Sequence, residues 1–151
     1  MTCQDNEILL NGVLIQMARS SLQYVAECSP WVSVDAASDE AQVIVLAARQ
    51  RQDVAEIALL LNAREHYIDF GSFPTEYTDQ QFLSLVSVMN GLQRSHQLVC
   101  SRISNALISL RTAGDAEAAD LLTKVESHER DILRAMDEIR KTLAIHSAAT
   151  V

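Results

Sequence analysis

The chain has 151 residues, 48% of them apolar and only 5% aromatic, with a formal net charge of −8. That length fits one ordinary domain able to bury a core without disulfide or metal staples. The acidic excess forms no block and the basic residues do not cluster, which argues against a nucleic-acid surface or an anionic-membrane surface.

Four glycines and two prolines are sparse punctuation and favour long helices over many short strands. Cys3, Cys28 and Cys100 are odd in number and lack CxxC spacing, so they read as free thiols, with Cys100 as small core filler. The opening Met-Thr-Cys-Gln-Asp-Asn-Glu lacks the basic and then apolar order of a secretion signal. No apolar run approaches the roughly 20 residues of a membrane span. A cytoplasmic location is the expectation.

The first periodic segment runs from about Asp5 to Cys28, with Leu10, Val13, Leu14, Met17, Tyr24 and Cys28 at spacings of three and four. Ser29-Pro30-Trp31 stops it, because proline restricts the residue before it and cannot donate to the preceding turn. Trp31 is placed to cap the end of the core.

A second helix is expected from Asp35 or Ser38, either of which can cap it, to about His66. Its seam is Val43, Ala47, Gln50, Val54, Ile57 and Leu61. Ile44, Val45, Leu46, Leu59 and Leu60 widen the apolar stripe beyond one bundle face, so either a connecting segment or another subunit covers it.

Thr78-Asp79-Gln80-Gln81 reads as a capping box that starts the third helix, with Tyr77 stapled against Phe82. The seam Phe82, Leu85, Val86, Met89, Leu92, His96, Val99, Ile103, Leu107 and Leu110 ends at Gly114, a left-handed stop. Gly91 in mid-helix points to close helix approach or a bend.

Asp115 then caps a fourth helix with the seam Ala118, Leu121, Val125, His128, Ile132, Met136, Ile139 and Leu143. Glu126 with Arg130, and Asp137 with Lys141, have the i, i+4 orientation of exposed ion pairs. The tail after about Ile145 reads as frayed.

These elements predict an all-α chain folded as an antiparallel four-helix bundle, residues 1–151 forming one domain. The first and third connections are short and fit hairpins. The middle one, from about Tyr67 to Tyr77, spans at most roughly 35 to 40 Å when extended, nearly the length of a helix. A crossover from end to end is the preferred topology, with up-down-up-down as the alternative. Aromatic residues in this connection require it to dock, either to seal the bundle or to face a partner.

Gln50, His96 and His128 fall near mid-helix on three helices, with Ser20 and Gln16 at the same height on the first and Asp53 and Glu129 within one turn. Inward imidazoles and carboxylates from several helices at one level are what a metal site in a bundle core needs. The same residues also read as a hydrogen-bonded layer that fixes helix register without chemistry. Glu126-Ser127-His128-Glu129 looks like a metal motif, but the helical wheel turns Glu126 to solvent. Arg64-Glu65-His66 reads as a helix-terminus feature. No GxSxG serine, no catalytic cysteine context and no glycine-rich phosphate loop is present, so no catalytic residue is expected.

With two hairpins, a long middle connection and an inward His pair, the whole chain resembles the ferritin-like superfamily, including its rubrerythrin-type bundles. That resemblance implies two metal ions held by a glutamate on the first and third helices and Glu-x-x-His on the second and fourth. By position the second-helix motif falls on Gln50 and Asp53, the third-helix glutamate on His96 and the fourth-helix motif on Val125 and His128. Only His128 has the type the family uses, and the first helix offers Gln16 and Ser20 where a glutamate would stand.

Two functional readings follow. In the first the chain is a non-catalytic structural or interaction module, homodimeric through its second helix and without a cofactor. In the second it is a metal-binding protein of redox or storage type, in which His96, His128, Gln50, Asp53 and Glu129 supply the site. Two imidazoles with few carboxylates suit zinc, copper or nickel better than two irons.

Overall fold

A computed structural model describes residues 2–28, 30 and 32–149, and the side chains of these except 81, 82 and 147–149. The expected roles of Trp31 and of Phe82 as a staple lie outside what is described. Among the described residues the chain is all-helical and has no strand. Its α-helices are α1 (Cys3–Ala18), α2 (Ser21–Cys28), α3 (Ala37–Ala63), α4 (Leu85–Thr112) and α5 (Ala116–Ala149), with 3-10 turns at Val34–Ala36 and Thr75–Phe82. Among the described residues no helix is long and apolar enough to cross a membrane.

The expected first helix is two helices. Thr2 and Asp5 form a capping box that opens α1 at Cys3, and the helix breaks after Ala18. The Ser20 hydroxyl accepts from the Gln23 amide and donates to the Gln50 side chain. A serine hydroxyl that offers the backbone a local partner in this way competes with the continuing helix. Ser20-x-x-Gln23 is itself the sequence pattern of a helix start inside the periodic run.

The third helix also begins elsewhere than its sequence signal indicates. Thr78 donates to the Thr75 carbonyl within a 3-10 turn, and Gln80 is drawn across to the Ser21 hydroxyl. Leu83 is extended, and Ser84 caps α4 by accepting from the Ser87 amide. The seam of α4 is buried as expected from Leu85 to Leu110, apart from Val86, which is exposed.

On α3 every expected seam residue is buried. Of the surplus apolar residues Leu46 is buried, whereas Ile44, Val45 and Leu59 stay exposed. Asp115 caps α5 through the Ala118 amide, and Gly114 has the left-handed φ of 76° that its place after α4 requires. The α5 seam differs at two places: Leu122 is buried in place of Leu121, and Glu129 in place of His128. The helix also runs on to Ala149 instead of fraying after Ile145. Arg130 with Glu126 and Lys141 with Asp137 pair as expected.

The ends of the elements meet in two groups. Arg64, after α3, bonds Glu7 on α1 and Asp115 ahead of α5. At the other end His146 of α5 lies 3.2 Å from Asp39 of α3. The connection after α3 lies along α1: Asn11 bonds the amide and carbonyl of Asp69, and the Arg19 guanidinium donates to the Phe70 and Gly71 carbonyls. Farther on, Phe73 and Tyr77 pack their rings on Tyr24, with centroids 5.3 and 5.5 Å away. The aromatic connection therefore docks on α1 and α2.

Two glycines act in opposite ways. Gly71 has φ 67°, and a Cβ there would stand 2.8 Å from Ile15 Cγ2. The expected close approach at Gly91 is absent: it is exposed, and a Cβ meets nothing within 4 Å. Thermal melts are therefore expected to show Gly71→Ala destabilised by about 1–3 kcal/mol and Gly91→Ala stabilised by about 1 kcal/mol.

Candidate functional site

The buried apolar side chains form two clusters. One centres on Leu14, Ile57, Leu107 and Leu122, and the other on Leu22, Leu46, Met89 and Met136. Between them lies a layer of buried polar residues: Ser20, Gln23, Gln50, Asp53, His96 and Glu129. Burying so many polar atoms is unfavourable unless they bond one another, and here most do.

Gln50, fully enclosed, is the hub. Its Oε1 accepts from Ser20 Oγ at 2.7 Å and from Gln23 Nε2 at 2.9 Å, and its Nε2 donates to Glu129 Oε2 at 3.1 Å. Gln23 also donates to the Ala47 carbonyl and accepts from Arg51. His96 Nε2 lies 3.0 Å from the Glu129 carbonyl oxygen and 3.2 Å from Glu129 Oε2. Burial lowers the His96 pKa, so the ring is neutral, and the two facing oxygens place its proton on Nε2.

The Glu129 carboxyl is pushed far above the usual carboxylate range, first by burial and then by the hydrogen bond it gives Asp53 in its acid form and by the charge of Asp53. Gln50 opposes the shift weakly. Glu129 is therefore an uncharged acid in the folded protein at neutral pH. Asp53, 4% exposed, is held on its other side by His128 Nδ1 at 2.8 Å.

Against expectation, His128 does not point into the core. Its side chain is 46% exposed and lines a cleft of about 380 Å³ between α3 and α5 with Arg49, Asp53, Glu56 and Lys124. A shift of one residue along α5 puts Glu129 inward and His128 at the rim. Because 3.6 residues make one turn, a seam read at alternating threes and fours can land on either of two neighbours.

All five residues expected at the site, His96, His128, Gln50, Asp53 and Glu129, thus belong to one connected chain of contacts. Among the described residues, however, no group of three or more His, Cys, Asp or Glu side chains is arranged to hold a metal ion. Beyond the hydrogen bond between the Glu129 acid and Asp53, the buried atoms Asp53 Oδ2 and Glu129 Oε1 meet no donor, and His96 Nδ1 has no partner. Gln16 is not part of the layer and lines surface grooves beside α4.

Gln23 escaped the sequence reading because the segment read as one uninterrupted helix. A second cluster was missed entirely. The Arg64 guanidinium grips Asp115 with both terminal nitrogens at 2.7 and 2.9 Å and reaches Glu7 at 3.3 Å and Glu117 at 3.2 Å. Asn6 also donates to Asp115. This arginine holds the Asp115 carboxyl down at about 2. Nothing local in the sequence marks a partner 51 residues away. No family model matches the chain, and no curated protein is similar to it.

Proposed function

We propose that the chain is a non-catalytic structural or interaction module, built as a ferritin-like four-helix bundle and working as a homodimer through α3. In this reading α1 and α2 together form the first helix of the bundle. The Arg64 cluster at one end, the His146 and Asp39 contact at the other and the connection running along α1 support two antiparallel hairpins joined by a crossover.

The observation that carries the functional reading is the layer around Gln50. It joins α2, α3, α4 and α5 by hydrogen bonds, and the fully enclosed acid of its two buried carboxyl groups, Glu129, is held neutral. A layer of this kind suits fixing the register of helices better than proton or electron transfer. The exposed Ile44, Val45 and Leu59 on α3 support a partner on that helix.

Light scattering on the full chain is expected to show a dimer, and His96→Leu is expected to lose less than about 1 kcal/mol, because Gln50 still bonds Glu129 when the imidazole is gone. A monomer at all concentrations, or a His96→Leu variant that fails to fold, would overturn this reading.

A second reading is favoured by two carboxyl groups, Asp53 and Glu129, buried against one another in the layer. A transition-metal ion displacing the Glu129 proton would find Asp53 and Glu129 side by side, with His128 at the cleft and His96 behind. Zinc added to metal-free protein would then bind near stoichiometrically and release a proton, and the His96→Ala/His128→Ala variant would lose both effects. Equilibrium dialysis with no retained zinc excludes this reading.

A further inference from the structure

We propose that the second copy of the chain docks antiparallel along α3, with Arg49 of each protomer paired to Glu56 of the other; this geometry rests on the homodimer reading above. Ala41, Val45, Ala48, Gln52, Ala55 and Leu59 recur at alternating steps of four and three on α3. That is the spacing of a helix-pairing seam, and it covers about 27 Å of helix. All of them are exposed except the half-buried Ala48, and Val45 and Leu59 are 51% and 66% exposed. The face is unused by the chain itself and is mostly small, which lets two helices approach closely.

Charge chooses among the ways two such seams can meet. Set antiparallel with Ala48 against Leu59 and Gln52 against Ala55, small residues oppose large ones, and the flanking Arg49 meets Glu56 of the second copy twice, once on each side of the twofold. Both are exposed, and no ion pair within the chain uses either among the described residues. Sliding one heptad in one direction sets Arg49 against Arg49 and Arg51 against Arg51. Sliding one heptad in the other sets Glu56 against Glu56. Like charges in register disfavour both.

A parallel pairing would instead bring Arg51 to Glu56, but the Arg51 guanidinium already donates to Gln23 Oε1 of its own chain at 3.1 Å. The antiparallel arrangement also brings the Ile44 and Val45 end of one copy to the apolar groove that Ala58, Leu59, Ile68 and Phe70 form beside α3 on the other, about 640 Å³ in volume.

Charge reversal tests the geometry. Dimer dissociation constants of the full chain are measured by sedimentation for the parent, Arg49→Glu, Glu56→Arg, Arg49→Glu/Glu56→Arg and Arg51→Glu/Glu56→Arg, with helix content and melting checked for each. Either single reversal at position 49 or 56 is expected to weaken the dimer about tenfold or more, and the Arg49→Glu/Glu56→Arg protein to regain nearly all of it. Single reversals without effect, or recovery by Arg51→Glu/Glu56→Arg instead, overturn the antiparallel geometry while the homodimer stands. A parent chain that stays monomeric to about 100 µM overturns both.

Discussion

Glu129→Gln is expected to be more stable than the parent at pH 7 by up to about 3 kcal/mol, with a difference that grows with pH. Glutamine has the shape and polarity of the protonated acid, so its amide donates to Asp53 while its oxygen accepts from Gln50. The sign follows from proton binding. In the unfolded chain Glu129 ionises near its ordinary 4.5, whereas in the folded chain burial and Asp53 hold it protonated far above that. The folded state binds more protons across this interval, so parent stability falls by about 1.4 kcal/mol per pH unit as pH rises through it.

His96 works in the opposite sense. Its folded pKa is lowered from 6.5 by burial, so its contribution is lost as pH falls below that value. Because Glu129→Gln keeps His96, the difference between the two proteins isolates the glutamate. Denaturant melts of both from pH 4 to 8 read it directly. Parallel stability curves would show that Glu129 is ionised in the fold and that the layer is a charged one.

Arg64→Ala is expected to cost about 2–4 kcal/mol in the same melts, because it leaves Glu7 and Asp115, both nearly buried, beside each other with no cation between them. Asp115 also caps α5, so the loss reaches the longest helix. In the parent the Asp115 carboxyl, held at about 2 against an ordinary 3.8, contributes stability that is fully present above pH 4 and disappears as pH falls toward 2. Arg64→Ala should flatten that acid limb. An Arg64→Lys protein recovers only part of the loss, since an ammonium cannot reproduce the two-pronged grip on one carboxylate. Loss of stability with an unchanged acid limb would assign the effect to packing of the arginine stem alone.

The helical class, the α3 seam, the Asp115 cap and the Gly114 stop were legible in the sequence because each rests on local rules: a period of 3.6, side-chain capping and the left-handed tolerance of glycine. His96, Gln50 and Asp53 could be placed at one height for the same reason. The sequence by itself therefore determined the helices and that polar groups would share a level inside them.

What only the tertiary structure decided depends on groups far apart in the chain. Whether Ser20 ends a helix turns on Gln50, 30 residues away, accepting its hydroxyl. Whether Thr78 or Ser84 starts α4 turns on where the docked connection leaves the chain and on Ser21 holding Gln80. Which of His128 and Glu129 faces inward is a rotation of one residue on α5, fixed by the packing of Leu122 and Ile132 on either side. Local capping and periodicity leave such choices nearly degenerate, and a few buried hydrogen bonds across helices break the degeneracy.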